Sequence, residues 1–286
     1  MGEAFRYCLN TGTIRGQGLG IVEEVDVAAR AGYGAIEPWI ESILAYRKAG
    51  GSLRDLRKRI ADAGLKVPGA IGFGRWLADQ KDRRKKGLVE ARRDMDLVRQ
   101  IGGTGLAAPP AGMVQRKGLD LRVAAERYRA LLELGDKMGV VPQLEFWGVS
   151  KTLGHLSEVA HVAVETGHPK ACLLCDVFHM FRGGSDFNGL KLLSGPAIAM
   201  FHMNDYPARP RREKQTDADR VYPGDGVAPL GQILRDLHNN GSRCWLSLEL
   251  FNETYYSQPA LKVAKTGLAK MKAVVRKALA GRRGPR

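Results

Sequence analysis

A repeated spacing restricts this chain more than any single motif. Eight short apolar runs, rich in β-branched and aromatic residues or closely bounded by Gly and Pro, occupy residues 5–11, 35–39, 66–72, 105–110, 141–147, 171–179, 198–205 and 244–251. Their starts lie 27 to 46 residues apart, about the length that a strand, a loop and a crossover helix need before a parallel neighbour can form. Helical patterns with glycine stops fill the intervals, at 21–32, 53–64, 87–102, 121–139 and 156–167. Eight such units in about 250 residues specify an α/β protein of one domain, a (β/α)8 TIM barrel. An open doubly wound sheet is the main rival, but no Gly-x-Gly-x-x-Gly follows the first run to mark a dinucleotide site.

No linker or abrupt change of composition divides the chain. The expected organisation is therefore one barrel over residues 1–280, ending in a lysine-rich helix at 260–280, followed by a flexible basic tail at 281–286. No stretch reaches the roughly 18 apolar residues that span a membrane. The first residues lack a basic segment followed by an apolar run, and Arg6 stands where a myristoylation signal needs Ser or Thr, so a cytoplasmic protein is expected. Against 30 Asp and Glu, 45 Lys and Arg give a net charge of +15, which permits a polyanionic partner without establishing one. Aromatic and basic residues do not interleave in a recognisable binding module, so nucleic acid is not the expected partner. The four cysteines, Cys8, Cys172, Cys175 and Cys244, are too few for a disulfide framework. Cys172 and Cys175 match a redox or zinc spacing, yet alternation along a strand sends their sulfurs to opposite faces.

In a barrel the chemistry gathers at the carboxyl ends of the strands, and the last four runs each carry a metal-capable side chain there. These are Glu145 in the fifth run, Asp176 in the sixth, His202 in the seventh and Glu249 in the eighth. Apolar neighbours flank each of them: Leu144 and Phe146, Cys175 and Val177, Phe201 and Met203, Leu248 and Leu250. If those neighbours face the helices, all four polar groups face the axis and converge at the mouth. Three carboxylates and one imidazole suit one hard or borderline divalent ion: Mn2+ first, with Mg2+, Co2+ and Zn2+ as alternatives. Taken singly, each residue is more often a cap, an ion pair or a satisfied core histidine; four on consecutive strands are not independent accidents. His179 follows Asp176 by three and lies just beyond the strand, which makes it a candidate for a substrate hydrogen bond. His155, His161, His168 and His238 fall on helices or flanking loops and read as surface or packing residues.

With Glu145, Asp176-x-x-His179, His202 and Glu249 in place, the chain resembles the sugar-phosphate isomerase/epimerase group of the xylose-isomerase-like barrels. Ketose 3-epimerases, inosose isomerases, inosose dehydratases and hydroxypyruvate isomerase belong to that group. Leu9-Asn10-Thr11, Ala31-Gly32-Tyr33 and Ile36-Glu37 are similar to the group's opening strands and first turn, so the resemblance spans essentially the whole barrel. Arg220-Val-Tyr-Pro-Gly-Asp-Gly226 is similar to a loop that carries a substrate-binding arginine. The chain departs from the DNA-repair endonucleases of the same superfamily: the runs at 66–72 and 105–110 hold no histidine, and Asp225-Gly226-Val227 replaces an Asp-x-His, so a trinuclear zinc centre is not expected.

The resemblance implies an isomerase or epimerase of a sugar, ketose, inosose or related polyol, in which the ion stabilises a cis-enediolate and Glu145 and Glu249 serve as acid and base. It implies that His179 and Arg220 hold substrate oxygens, although Arg220 also reads as a surface charge in a long loop. Trp39 and Trp147 offer flat faces to a sugar or pack the core, and Glu37 is either an internal ion pair or a polar wall of the pocket. Two other enzyme readings stay open: a metal-dependent dehydratase or lyase on a keto-sugar or cyclic polyol, and a phosphodiesterase acting on nucleic acid. A catalytically dead barrel acting as a partner subunit is the non-enzymatic alternative. Members of the group pair or form tetramers, so a homo-oligomer is compatible with the resemblance.

Overall fold

The computed structural model describes residues 4–280; the basic tail expected at 281–286 lies outside them. Seven parallel strands form one sheet: β1 (Arg6–Asn10), β2 (Ala35–Glu37), β3 (Gly105–Ala108), β4 (Val141–Glu145), β5 (Leu173–Asp176), β6 (Ile198–Met203) and β7 (Trp245–Leu248). Their order is β2-β1-β7-β6-β5-β4-β3. Helices α1 (Ile21–Ala31), α2 (Ile40–Lys48), α3 (Leu53–Asp62), α4 (Lys81–Gln100), α5 (Leu121–Met138), α6 (Leu156–Glu165), α7 (Val177–Gly183), α8 (Leu230–Asn239), α9 (Glu253–Tyr256) and α10 (Ala260–Leu279) occupy the crossovers and the end of the chain. This is the TIM-barrel architecture expected from the spacing.

The apolar run at 66–72 does not form a regular strand, and its own residues explain why. Pro68 has no N–H to give to a ladder. The segment nevertheless joins the two ends of the sheet. On one side Ile36 N donates to Lys66 O at 2.9 Å and Ile71 N to Pro38 O at 2.9 Å; on the other, Thr104 N donates to Val67 O at 3.0 Å and Ala107 N to Ala70 O at 2.9 Å. Backbone bonds thus carry the ring from β2 to β3 across a broken eighth position.

The periodicity places the core as expected. Leu144, Phe146, Cys175, Val177, Phe201, Met203, Leu248 and Leu250 all belong to the large cluster packed between strands and helices. A second, smaller cluster of Ile71, Ala107, Leu174 and Met200 fills the barrel interior. Leu174 and Met200 precede Asp176 and His202 by two residues, so the polar groups stand one layer above an apolar plug. Helix ends also follow the sequence: Gly32 ends α1 with φ 93°, a left-handed conformation that costs glycine little. Helix α4 starts earlier than the apolar pattern indicated, because its first turns, Lys81–Lys86, are polar and carry no periodic stripe. Among the described residues no helix is long and apolar enough to cross a membrane.

Closure leaves no space beside β3. A Cβ on Gly105 would stand 2.4 Å from Pro68 O and 2.3 Å from Gln143 Nε2, and backbone cannot yield as a side-chain tip can. Gly105→Ala is expected to destabilise the fold by about 1–3 kcal/mol, read as a lower urea midpoint with an unchanged slope; an unaltered midpoint would show that the 66–71 segment is free to move.

Candidate metal centre and pocket

The site is assembled from strand ends. Glu145 closes β4, Asp176 closes β5, His202 lies near the end of β6, and Glu249 follows β7. Asp176 and His202 are register partners across β5 and β6. One ligand atom from each of Asp176, His202 and Glu249 lies within 4.8 Å of the others. Glu145 does not join this group of three; it lines the cavity beside them.

The histidine is held from below. His202 Nε2 lies 3.0 Å from Glu37 Oε2, while Glu37 also accepts from Ser247 Oγ at 2.7 Å and Asn10 Nδ2 at 2.9 Å. Of the two readings of Glu37, the structure shows the internal ion pair: the side chain is fully buried and is not part of the cavity wall. An acceptor at Nε2 leaves Nδ1 facing Glu249 Oε2 at 3.1 Å and Asp176 Oδ2 at 3.6 Å. That Nδ1 is buried without a hydrogen-bond partner. Either a proton or a metal cation must stand between that nitrogen and the two carboxylate oxygens, so the donor set fits a divalent ion in the proton's place, with Glu37 as the outer carboxylate.

Protonation follows from the same crowding. Burial pushes His202 down, but the charges of Glu249 and Glu37 more than reverse this and hold it well above an ordinary histidine. Burial likewise works against an ionised Asp176, yet the Arg220 charge keeps that carboxyl below the usual carboxylate range. Glu145 has no such cation and is pushed up to about 8, by burial first and then by Glu249 and Asp176, against the opposing effect of His202.

Arg220 is buried, which removes its reading as a surface charge. Its Nη1 donates at 2.8 Å to both Asp176 Oδ2 and Glu249 Oε2. Its Nη2 and Nε donate to Asp217 Oδ1 at 2.5 and 3.0 Å, and its plane lies between Phe178 and Phe251, 4.9 and 5.2 Å from the ring centres. His179 sits just beyond β5, in the first turn of α7, because the Asp176 side chain caps that helix by accepting from His179 N at 2.7 Å. Its Nε2 lies 3.4 Å from Arg220 Nη2, and burial lowers its pKa.

Above these groups opens a cavity of about 370 Å3 whose wall includes Trp39, Phe73, Trp147, Phe251, Glu145, Glu249, His179 and Arg220. Rings follow one another around it: Trp39 to Phe73 at 5.3 Å, Phe73 to Trp147 at 6.0 Å and Trp39 to Phe251 at 6.1 Å. Both tryptophans singled out in the sequence therefore face the cavity. Sequence reasoning missed Asn10, Phe73, Asp217 and Phe251. Asn10 was within reach, since it ends β1 as Glu37 ends β2, and it donates to Glu249 Oε1 at 3.0 Å as well as to Glu37. The other histidines stay away from the site: His168 pairs with Asp136 at 3.2 Å, His155 is the N-cap of α6, and His161 and His238 lie on α6 and α8. Among the described residues no second group of three metal-capable side chains accompanies the first. All four cysteines are free and buried.

The sequence profile described as xylose isomerase-like TIM barrel matches residues 25–274. The chain belongs to this family. Inosose isomerase of Bacillus velezensis is 27% identical over 277 residues, 95% of this chain and 98% of that protein. A 3-dehydroshikimate dehydratase of Pseudomonas putida is 26% identical over 248 residues, 86% of this chain; the match spans only 38% of that longer protein. The crystal structure of the IOLI protein with a bound zinc atom superposes with a TM-score of 0.87 at 22% identity, covering 96% of this chain and 99% of that one, and so shares the fold.

Two outcomes follow. Glu37→Gln deprives His202 Nε2 of its anionic acceptor and is expected to weaken divalent-ion binding about 10- to 100-fold, measured by equilibrium dialysis; unchanged affinity would remove Glu37 from the centre. Between pH 4.5 and about 8 the folded, metal-free chain retains a proton on Glu145 that the unfolded chain releases. This group's stabilising contribution is complete below pH 4.5 and is lost as pH rises towards 8, at up to about 1.4 kcal/mol per unit. Urea titrations across that range should show a flatter profile for Glu145→Gln than for the native chain.

Proposed function

We propose that the chain is a divalent-metal-dependent isomerase or epimerase of a sugar, ketose, inosose or related polyol. The observation that carries this reading is the unpartnered His202 Nδ1, directed at Asp176 and Glu249 beneath a cavity walled by aromatic rings. Asp176, His202 and Glu249 would hold the ion, with Glu145 as a fourth ligand from the adjacent wall. Bound there, a divalent ion supplies Lewis-acid polarisation of a carbonyl and its neighbouring hydroxyl; Mn2+ is the first ion to test, and the IOLI structure holds zinc.

The chain's own residues supply the rest. Glu145 and Glu249 approach the cavity from β4 and from beyond β7, strands separated by β5 and β6. One takes the proton next to the carbonyl and the other returns it: return to the same carbon inverts a centre, and return to its neighbour interconverts aldose and ketose. His179 and Arg220 hold substrate oxygens, and Trp39 and Trp147 cover the C–H faces of the ring or chain. Glu37 acts through His202 and does not touch substrate. Four free, buried thiols suit a reducing, cytoplasmic setting.

The dehydratase reading uses the same proton abstraction followed by loss of water, and the Pseudomonas putida relative supports it. Charge favours the isomerase. Among the described residues that line the cavity, Arg220 is the one guanidinium or ammonium, and its donors already meet Asp176, Glu249 and Asp217. Three carboxylates already balance its charge, so an anionic substrate such as a dehydroshikimate finds no uncompensated cation there, whereas the Nη2–H that meets only His179 Nε2, at 3.4 Å, can still donate to a neutral hydroxyl.

NMR in D2O with a panel of neutral ketoses and inososes tests the reading. Loss of the α-proton signal is expected with Mn2+-loaded protein, with no net loss of water. Glu249→Gln should slow exchange by about 10²- to 10⁴-fold, and chelation should abolish it reversibly. Exchange with no member of the panel, or exchange indifferent to chelation, would overturn the proposal.

A further inference from the structure

We propose that Asp205 is a positioning residue that sets where Arg220 stands in the pocket; this rests on the reading of Arg220 as a side chain that holds substrate. Asp205 lies three residues beyond His202 and is 1% exposed, where a carboxylate needs strong compensation. Among the described residues no basic side chain supplies it. Four backbone N–H groups do: Oδ1 accepts from Tyr206 at 2.8 Å and Ala228 at 2.9 Å, and Oδ2 accepts from Gly224 at 2.9 Å and Gly226 at 3.1 Å. Three of these donors belong to the segment 224–228, which has no regular secondary structure.

The backbone of Asp205 grips the same loop. Its N donates to Val221 O at 3.0 Å and its O accepts from Val221 N at 2.9 Å, while Val227 N donates to Tyr206 O at 2.9 Å. The wrapping is tight: a Cβ on Gly226 would meet Tyr206 O at 2.2 Å and Asp205 Oδ1 at 2.4 Å. Residues 221–228 are thus wound around one carboxylate, and Arg220 is the residue at which the pinned loop begins. Its guanidinium must satisfy two carboxylates from different strands at 2.8 Å each, a placement that tolerates displacement of only about 0.5 Å. Because Asp205 and His202 share one strand end, three residues of backbone fix the distance between the metal-binding imidazole and the loop that delivers the arginine.

A double-mutant cycle separates positioning from bulk structure. Asp205→Asn keeps the side-chain size but retains only one acceptor oxygen. It is expected to lower kcat/KM for α-proton exchange 10- to 100-fold when Arg220 is present and less than about 3-fold in an Arg220→Gln background, with no loss of divalent-ion affinity, because Arg220 competes with the ion for Asp176 and Glu249. If Asp205→Asn does not fold, Gly226→Ala, which pushes the loop off the same carboxylate, must reproduce the pattern. A reading without turnover comes from 15N NMR. The Arg220 Nε–H should exchange with solvent at least 10-fold faster in the variant, while the His202 ring signals stay in place. Equal losses in both arginine backgrounds, an unchanged Arg220 Nε–H, or a parallel loss of metal affinity would each overturn the proposal. Absence of α-proton exchange in the native protein would instead strike the proposed activity and leave the NMR result to decide the placement of Arg220.

Discussion

Three carboxylates, a histidine and an arginine share the mouth of this barrel, and the bond from Glu37 to His202 decides how they coexist. By accepting at Nε2, Glu37 dictates which ring nitrogen is left for the cavity. Ser247 and Asn10 fix Glu37 in turn, so the orientation of the imidazole is set by three side chains from β1, β2 and β7. Without that support the imidazole could turn, and Asp176 and Glu249 would face each other with only Arg220 between them. Much of the site's electrostatics follows: Asp176 is lowered by the Arg220 charge, His202 is raised by Glu249 and Glu37, and Glu145 is raised by its burial and by the neighbouring carboxylates.

The barrel makes this arrangement affordable by stacking unlike layers. Ile71, Ala107, Leu174 and Met200 seal the interior below the polar groups, and a ring of aromatic side chains borders the cavity above them. Charges confined between two apolar layers interact more strongly than they would in water. That suits the centre proposed above, which would polarise a substrate bond while excluding solvent.

The sequence exposed some of these layers and hid others, for identifiable reasons. Alternation around Glu145, Asp176, His202 and Glu249 placed all four at strand ends because their neighbours are uniformly apolar. Asp176, His202 and Glu249 then converge, whereas Glu145 stands apart at the cavity wall, a distinction that depends on side-chain reach and not on strand position. Glu37 could be placed on its strand, but its role depended on a partner 165 residues away, which no local pattern reveals. Asn10 was overlooked although the strand-end rule applied to it equally. The apolar run at 66–72 read as a strand because its composition is right; Pro68 withholds one donor and breaks the ladder while leaving the ring joined. Asp205 resembled one more polar residue after a strand, since its four partners are backbone groups that carry no sequence signature.

The cap on α7 has a consequence for aim. Asp176 spends Oδ1 on His179 N, so a helix start commits one oxygen of this carboxylate and leaves Oδ2 to face His202 and Arg220. Secondary structure thereby orients this carboxylate as well as carrying it. The first turn of a seven-residue helix thus decides which oxygen of the carboxylate is turned to the imidazole, so the aim of that side chain is set by backbone and not by rotamer preference.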